Sequence, residues 1–262
     1  MVNVAVLGYG TVGSGVVEVL SRNAKVLEKS AGQEINLKYV LDLKEFPGTP
    51  IEKKVVHDFN IILNDDDVSI IVEVMGGVNP AYSFVKSALL KGKSVCTSNK
   101  ELVAKHGAEL LGIAKEKNVN FFFEASVAGG IPIIRPLEQC ITADEVLEVS
   151  GILNGTTNFI LTKMEKEGAS YDEVLAQAQK LGYAERNPEA DVEGFDACRK
   201  IAILTSLAYG STVKFEEIRT EGITKITPED MEYAREMGRS IKLLGTSKKL
   251  GDDSFYALVA PF

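Results

Sequence analysis

The chain has 262 residues, 45% of them hydrophobic and 25% charged, a size that suits two cores and a composition ordinary for a folded globular protein. Its 37 acidic against 29 basic residues, a net charge of -8, exclude a general nucleic-acid binder, whose phosphate contacts need clustered Lys and Arg. No apolar run approaches the ~20 residues that span a bilayer, MVNVAVLGYG lacks a basic leader with a cleavable apolar stretch, and Cys96, Cys140 and Cys198 have no metal-ligand spacing, so a reducing cytoplasm is expected.

Residues 2–7, VNVAVL, form an apolar run that breaks at GYGTVG, residues 8–13, before an amphipathic stretch carrying Val12, Val16, Val17, Val19 and Leu20. Strand, glycine turn and helix in that order are the dinucleotide fingerprint. Gly8 allows the tight turn, Gly10 lets the backbone approach a pyrophosphate, and Gly13 lets helix and strand pack closely. Thr11 and Val12 open the helix, whose N-terminal N–H groups carry partial positive charge toward phosphate. INLKYVL, residues 35–41, is the next predicted strand and ends at Asp42. A carboxylate there suits a ribose 2′-hydroxyl and NAD, but it comes later than the usual spacing. Lys44 lies close enough to meet a 2′-phosphate, so NAD and NADP both stay open.

Further strand and helix pairs follow: VSIIVEVM (68–75) with a helix from Pro80, KSVCTS (93–98) with a helix through 100–117, and VNFFFEAS (119–126). Alternating β and α units with nearly continuous apolar strands predict a parallel Rossmann-type sheet covered on both faces. Nucleotide binds along the C-terminal strand ends of such sheets, which puts Gly76-Gly77 and the TSNK stretch with Ser98 and Lys100 beside it. A lysine at a helix start is electrostatically wasteful. Lys100 therefore either faces substrate and nicotinamide or is an exposed lysine without a role.

The pattern changes after Glu124. EASVAGGIPII combines small residues, a Gly-Gly pair and Pro132, which is expected to start a helix. Such a segment suits a domain-crossing hinge, or a cation held by backbone carbonyls and one carboxylate. A strand at 145–154 leads to GTTNFILTKMEKEG, a predicted helix capped by its Thr residues and stopped at Gly168. YDEVLAQAQKLG is another helix with Gly182 as its end signal. Pro188 keeps AERNPEA out of helix and leaves Glu185 on a loop. The helical pattern resumes from about Val192, with Phe195, Ile201, Leu204 and Leu207 apolar. On it, Asp196 and Lys200 share a face. Exposed, they are an ordinary helical ion pair; beside the apolar stripe, burial and the carboxylate would tune the lysine in opposite directions, as acid–base catalysis uses.

The blocks TSNKELVA, EASVAGGIPII, NGTTNFIL and LGYAE…P…D…G.DA.RK, in this order, resemble the homoserine dehydrogenase family from residue 1 to about 245. The resemblance implies an N-terminal dinucleotide-binding Rossmann domain (1–126) and a mixed α/β catalytic and dimerisation domain (127–262). It implies NAD(P)-dependent interconversion of L-homoserine and L-aspartate 4-semialdehyde, on the branch toward threonine and methionine, by a homodimer. It makes Lys200 the proton donor and acceptor held by Asp196. It implies that Glu185 binds the substrate ammonium with Asp191 and Lys100 nearby, that Tyr183 joins the substrate site, and that Gly182 approaches the cofactor. Glu124 with the carbonyls of Val127, Gly129 and Ile131 matches the family's sodium site. Family members usually continue past a strand like SFYALVAPF into a glycine-rich return segment. This chain stops at Phe262, so a fragment, or a chain lacking that segment and any regulatory domain, is expected. The rival expectations are another Rossmann oxidoreductase acting on an amino acid or semialdehyde, and a nucleotide-binding fragment without catalysis.

Overall fold

The computed structural model describes residues 1–141, 143–251 and 254–262. The chain divides into two compact units, Met1–Gly130 and Ile131–Phe262, a division four residues beyond the expected 126/127 boundary. Among the described residues no helix is long and apolar enough to cross a membrane.

The first unit runs β1 (Val2–Leu7), α1 (Thr11–Arg22), α2 (Ala24–Ala31), β2 (Ile35–Leu41), β3 (Val55–Val56), α3 (Phe59–Leu63), β4 (Val68–Glu73), α4 (Ala81–Leu90), β5 (Ser94–Thr97), α5 (Lys100–Lys117) and β6 (Phe121–Phe122). Its six strands lie in the order β3-β2-β1-β4-β5-β6, and every pairing is parallel. That is the doubly wound order, with the chain reversing direction across the sheet between β1 and β4. The central strand β1 is buried from Asn3 to Leu7, as a strand covered on both faces must be. Val6, Val17, Leu37, Val40 and Ile51 form the core beneath α1. The expected strand at 119–126 is much shorter in the fold, because it is an edge strand that pairs only through Val95–Phe121 and Cys96–Phe122.

The second unit runs β7 (Glu148–Gly151), α6 (Gly155–Glu167), α7 (Tyr171–Lys180), α8 (Glu189–Val192), α9 (Phe195–Tyr209), β8 (Arg219–Thr220), α10 (Pro228–Glu236), β9 (Leu243–Gly251) and β10 (Ser254–Pro261). Its sheet order is β7-β9-β10-β8, with antiparallel pairs except for β10 and β8. Helix α9 packs on this sheet through Ile201 and Ala202, in one core with Ile160, Leu161, Met164, Val174, Leu243 and Val259. Each fully buried Leu or Ile there contributes about 1.5–3 kcal/mol relative to exposure.

Three local expectations need correction. Pro132 does not start a helix; helical structure begins at Ile134 and continues as a wide turn over Pro136–Cys140. The Thr residues do not cap α6; the Asn154 side chain does, accepting the Thr157 N–H, and Gly168 ends the helix as expected. AERNPEA is not wholly outside helix: Glu189 and Ala190 open the short α8, because Pro188 just before them is compatible with a helix start, and the expected helix from about Val192 starts only at Phe195. Gly194 sits between α8 and α9 with φ +83°, and a Cβ there would lie 3.1 Å from Thr220 and 3.2 Å from Val259.

The glycine turn separates packing from space. A Cβ on Gly13 would lie 1.9 Å from the Gly8 carbonyl oxygen, whereas a Cβ on Gly10 would meet no protein atom within 4 Å. Gly13→Ala should therefore destabilise the first unit by about 1–3 kcal/mol. Gly10→Ala should leave its stability within about 0.5 kcal/mol. Urea unfolding of both variants checks this; equal losses would contradict it.

Candidate active site

In the first unit the site residues come from loops at the C-terminal ends of the parallel strands. Gly10 precedes α1 in extended conformation without a side-chain cap, and the first turn of α1 carries no acidic residue. The helix start, with Thr11 and the half-exposed Val12, keeps its positive end for an anion. Asp42, just past β2, is tied to this turn. Its Oδ2 accepts the Tyr9 N–H at 2.8 Å and its Oδ1 the Lys44 N–H at 3.0 Å. His57 Nδ1 donates to the Asp42 carbonyl at 2.6 Å, and its Nε2 lies 2.7 Å from Glu45 Oε1. The Asp42 carbonyl first, and the Glu45 carboxylate second, hold the His57 pKa above its ordinary value.

A buried polar chain, not anticipated from the sequence, sets the neighbouring loops. Glu73, fully buried at the end of β4, accepts from Thr97 Oγ1 at 2.6 Å and from the Met75 N–H at 2.8 Å. Thr97 Oγ1 accepts the Asn99 N–H at 2.9 Å. Asn99 caps α5 through the Leu102 N–H at 3.1 Å and donates from Nδ2 to the Gly77 carbonyl at 2.5 Å. Ser98 and Lys100 flank this capping residue, so the chain fixes both, together with the Gly76-Gly77 turn at φ +82° and +69°. The available signal was a lone glutamate inside an apolar strand and an asparagine one residue before a helix.

The second unit collects most of the other expected residues. Asp196 is 2% exposed and Lys200 16%, and Lys200 Nζ donates to Asp196 Oδ2 at 2.6 Å. The lysine also donates to the Leu153 carbonyl at 2.7 Å. Burial makes this an interior ion pair rather than an exposed helical one. An exposed i,i+4 pair contributes about 0.3–0.5 kcal/mol. Removing one partner of a buried pair costs ~3–5 kcal/mol, because a charge is left uncompensated.

Asn154 joins the cluster, donating from Nδ2 to Asp191 Oδ1 at 2.7 Å and to Asp196 Oδ2 at 2.9 Å. Glu185 lies on the exposed loop between α7 and α8, with its backbone carbonyl held by Gln179 Nε2 at 3.1 Å. Tyr183 sits on the same loop, its ring 4.9 Å from that of Phe159 and its carbonyl accepting from Thr156 Oγ1 at 2.7 Å. Gly182 begins the loop with φ +79°.

The expected cation ligands fall on both sides of the unit division. Glu124 starts a single turn over Glu124–Ser126, Val127 is buried, and Ala128 and Gly129 are consecutive left-handed residues at φ 62° and 59°. Ile131 begins the second unit and is exposed. Among the described residues no three His, Cys, Asp or Glu side chains group as a metal site. The expected set has one carboxylate and otherwise carbonyl oxygens, a donor chemistry that fits a hard cation of low charge.

Comparison with known proteins agrees with this two-part arrangement. Residues 8–124 match the family model "Homoserine dehydrogenase, NAD binding domain" and residues 132–261 the model "Homoserine dehydrogenase". The homoserine dehydrogenase of Helicobacter pylori is 47% identical over 95% of this chain and 59% of its own length. That of Bacillus subtilis is 44% identical over 95% of this chain and 58% of its own. The chain thus spans less than two thirds of these bacterial relatives. A crystal structure of homoserine dehydrogenase from Thiobacillus denitrificans superposes with a TM-score of 0.93 at 42% identity, covering 99% of this chain and 61% of that one. A putative homoserine dehydrogenase from Archaeoglobus fulgidus superposes with a TM-score of 0.89 at 30% identity, covering all of this chain and 83% of that one. Two family models that between them take in both units, and a relative covered over most of its length, make this chain a member of the homoserine dehydrogenase family.

Proposed function

We propose that this chain catalyses the NAD(P)-dependent interconversion of L-homoserine and L-aspartate 4-semialdehyde, a step toward threonine and methionine. The observation that carries the proposal is the setting of Lys200. Its amine is mostly buried and held by Asp196 Oδ2 and the Leu153 carbonyl. An ammonium has three N–H bonds, and these contacts take two. In this reading the third addresses a substrate oxygen.

A bound nicotinamide supplies or accepts the hydride. The chain's residues do the rest. When homoserine is oxidised, its hydroxyl gives a proton to the neutral amine of Lys200. When the aldehyde is reduced, the ammonium returns that proton to the carbonyl oxygen and stabilises the alkoxide as it forms. Asp196 keeps the amine in place through both states. Glu185 provides the negative charge that complements the substrate ammonium, Asp191 and Tyr183 line the same substrate region, and Lys100 is the second candidate cation for the reacting oxygen. Gly8, Gly10, Thr11, Val12 and Gly13 receive the pyrophosphate, and Ser98, Lys100 and Gly182 complete the cofactor contacts. Glu124 with the carbonyls of Val127, Gly129 and Ile131 is the proposed sodium set, structural rather than catalytic. A homodimer through the second unit's sheet belongs to the same reading.

The placement of Asp42 supports NAD over NADP. Its carboxylate is anchored by two backbone N–H groups just past β2, and in this reading it meets the adenosine ribose and disfavours a 2′-phosphate. A hyperthermophilic archaeal homoserine dehydrogenase solved in complex with NADPH, 28% identical to this chain, shows that its own site accepts the phosphorylated form.

Three measurements test this reading. Lys200→Ala should lower homoserine turnover by ~10²-fold or more while leaving NADH affinity unchanged. Lys200→Arg, which keeps the ion pair but cannot give up its proton, should be as inactive; near-normal turnover in either variant would remove the assigned proton transfer. Glu185→Gln should raise the Michaelis constant for homoserine more than that for the nucleotide, and equal changes would end its substrate role. In direct binding titrations, NADH should bind more tightly than NADPH and Asp42→Ala should narrow the difference; a wild-type preference for NADPH would contradict the assignment.

A further inference from the structure

Asn154 is the residue on which the acidic side chains of two helices converge. Its Nδ2 donates to Asp191 Oδ1 on α8 at 2.7 Å and to Asp196 Oδ2 on α9 at 2.9 Å. Its Oδ1 accepts the Thr157 N–H at 2.8 Å and lies 3.0 Å from Thr157 Oγ1. The residue is 6% exposed, so water is poorly placed to replace a lost bond. An amide nitrogen has two N–H bonds, and here both go to carboxylates, while the amide oxygen caps α6. The peptide just before it presents the Leu153 carbonyl to Lys200. One dipeptide therefore touches Lys200, Asp196 and Asp191.

The chemistry of position 154 is narrow. Helix capping alone would accept Ser, Asp or Asn about equally. Ser supplies the cap with a single O–H, too short and with too few donors to reach both carboxylates. Asp supplies the cap and adds a third negative charge beside the other two. Only a short amide combines the acceptor that α6 needs with two donors for the acids.

We propose that Asn154 is a positioning residue for the proton-transfer step: its side-chain amide orients Asp196, and through it Lys200, and couples them to Asp191. This rests on Lys200 being the acid–base group. Asn154 touches no reacting atom and acts through the carboxylates it holds.

Cap-preserving variants separate this role from helix capping. Asn154→Ser keeps the α6 cap but loses both amide bonds to the carboxylates, so it should lower the melting temperature, keep the NADH affinity of the parent chain, and lower kcat for homoserine oxidation about tenfold or more. Asn154→Asp should be slower still although it is an equal cap, because it sets a third carboxylate against Asp191 and Asp196. A second arm needs no turnover. Reductive methylation followed by peptide mass spectrometry gives the labelling rate of Lys200 relative to the exposed Lys214, and this ratio should rise about threefold or more in Asn154→Ser as the amine's anchor slackens. Parent-like kcat in Asn154→Ser, or a kcat loss with no rise in the Lys200 labelling ratio measured well below the melting temperature, overturns the proposal. If the parent chain does not oxidise homoserine, the functional reading falls, and an unchanged Lys200 labelling ratio then overturns the role of Asn154 on its own.

Discussion

A lysine amine and a carboxylate taken out of water have to be paired with each other and with hydrogen-bonding groups, and the second unit is arranged around that requirement. Asp196 is almost wholly buried on the inner face of α9, one turn before Lys200. Neither group could stay there alone, since an unpaired buried charge costs several kcal/mol. Compensation comes from a different part of the chain, the turn between β7 and α6, where the Leu153 carbonyl takes the amine and the Asn154 amide takes the carboxylate. The apolar core of Ile160, Leu161, Ile201 and Leu243 behind them supplies the rigidity, and also the low dielectric that makes their positions matter.

The first unit solves its own problem with backbone rather than charge. Its first helix starts without an acidic residue, and a side chain added at Gly10 would meet no atom of the described residues within 4 Å. The loops around that space are held from below. Buried Glu73 is satisfied by a threonine hydroxyl and a backbone N–H, and the chain of hydrogen bonds passes through Asn99 to the Gly77 carbonyl. Both units thus use an asparagine as an N-cap whose amide nitrogen also fixes a neighbouring loop or acid. The N-cap is a convenient place for this, because the side-chain oxygen is committed to the helix and the nitrogen remains available.

Residues local in sequence were the legible ones. The glycine turn, the helix at 100–117, the end of α6 at Gly168 and the loop carrying Glu185 follow from short-range rules of glycine, proline and apolar spacing. Edge strands and caps were not legible. VNFFFEAS is apolar enough for a long strand, but only two of its residues find a ladder partner. Two threonines beside Asn154 looked like suitable caps, and the choice fell to the asparagine because its position before the first helical turn, not its neighbours' chemistry, faces the Thr157 N–H.

By itself the sequence determined which groups are available: a dinucleotide fingerprint at residue 8, a carboxylate after β2, and an acid four residues before a lysine on an apolar helix. Helical periodicity placed Asp196 and Lys200 on one face but said nothing about what covers that face. Tertiary structure decided that they are buried, that the Leu153 carbonyl shares the amine, and that Asp191 joins Asp196 through Asn154. The physical reason is range. Backbone propensity acts over a few residues, whereas burial and the hydrogen bonding of charged groups to partners 37 to 47 residues away depend on which surfaces meet once the sheet and its helices have packed.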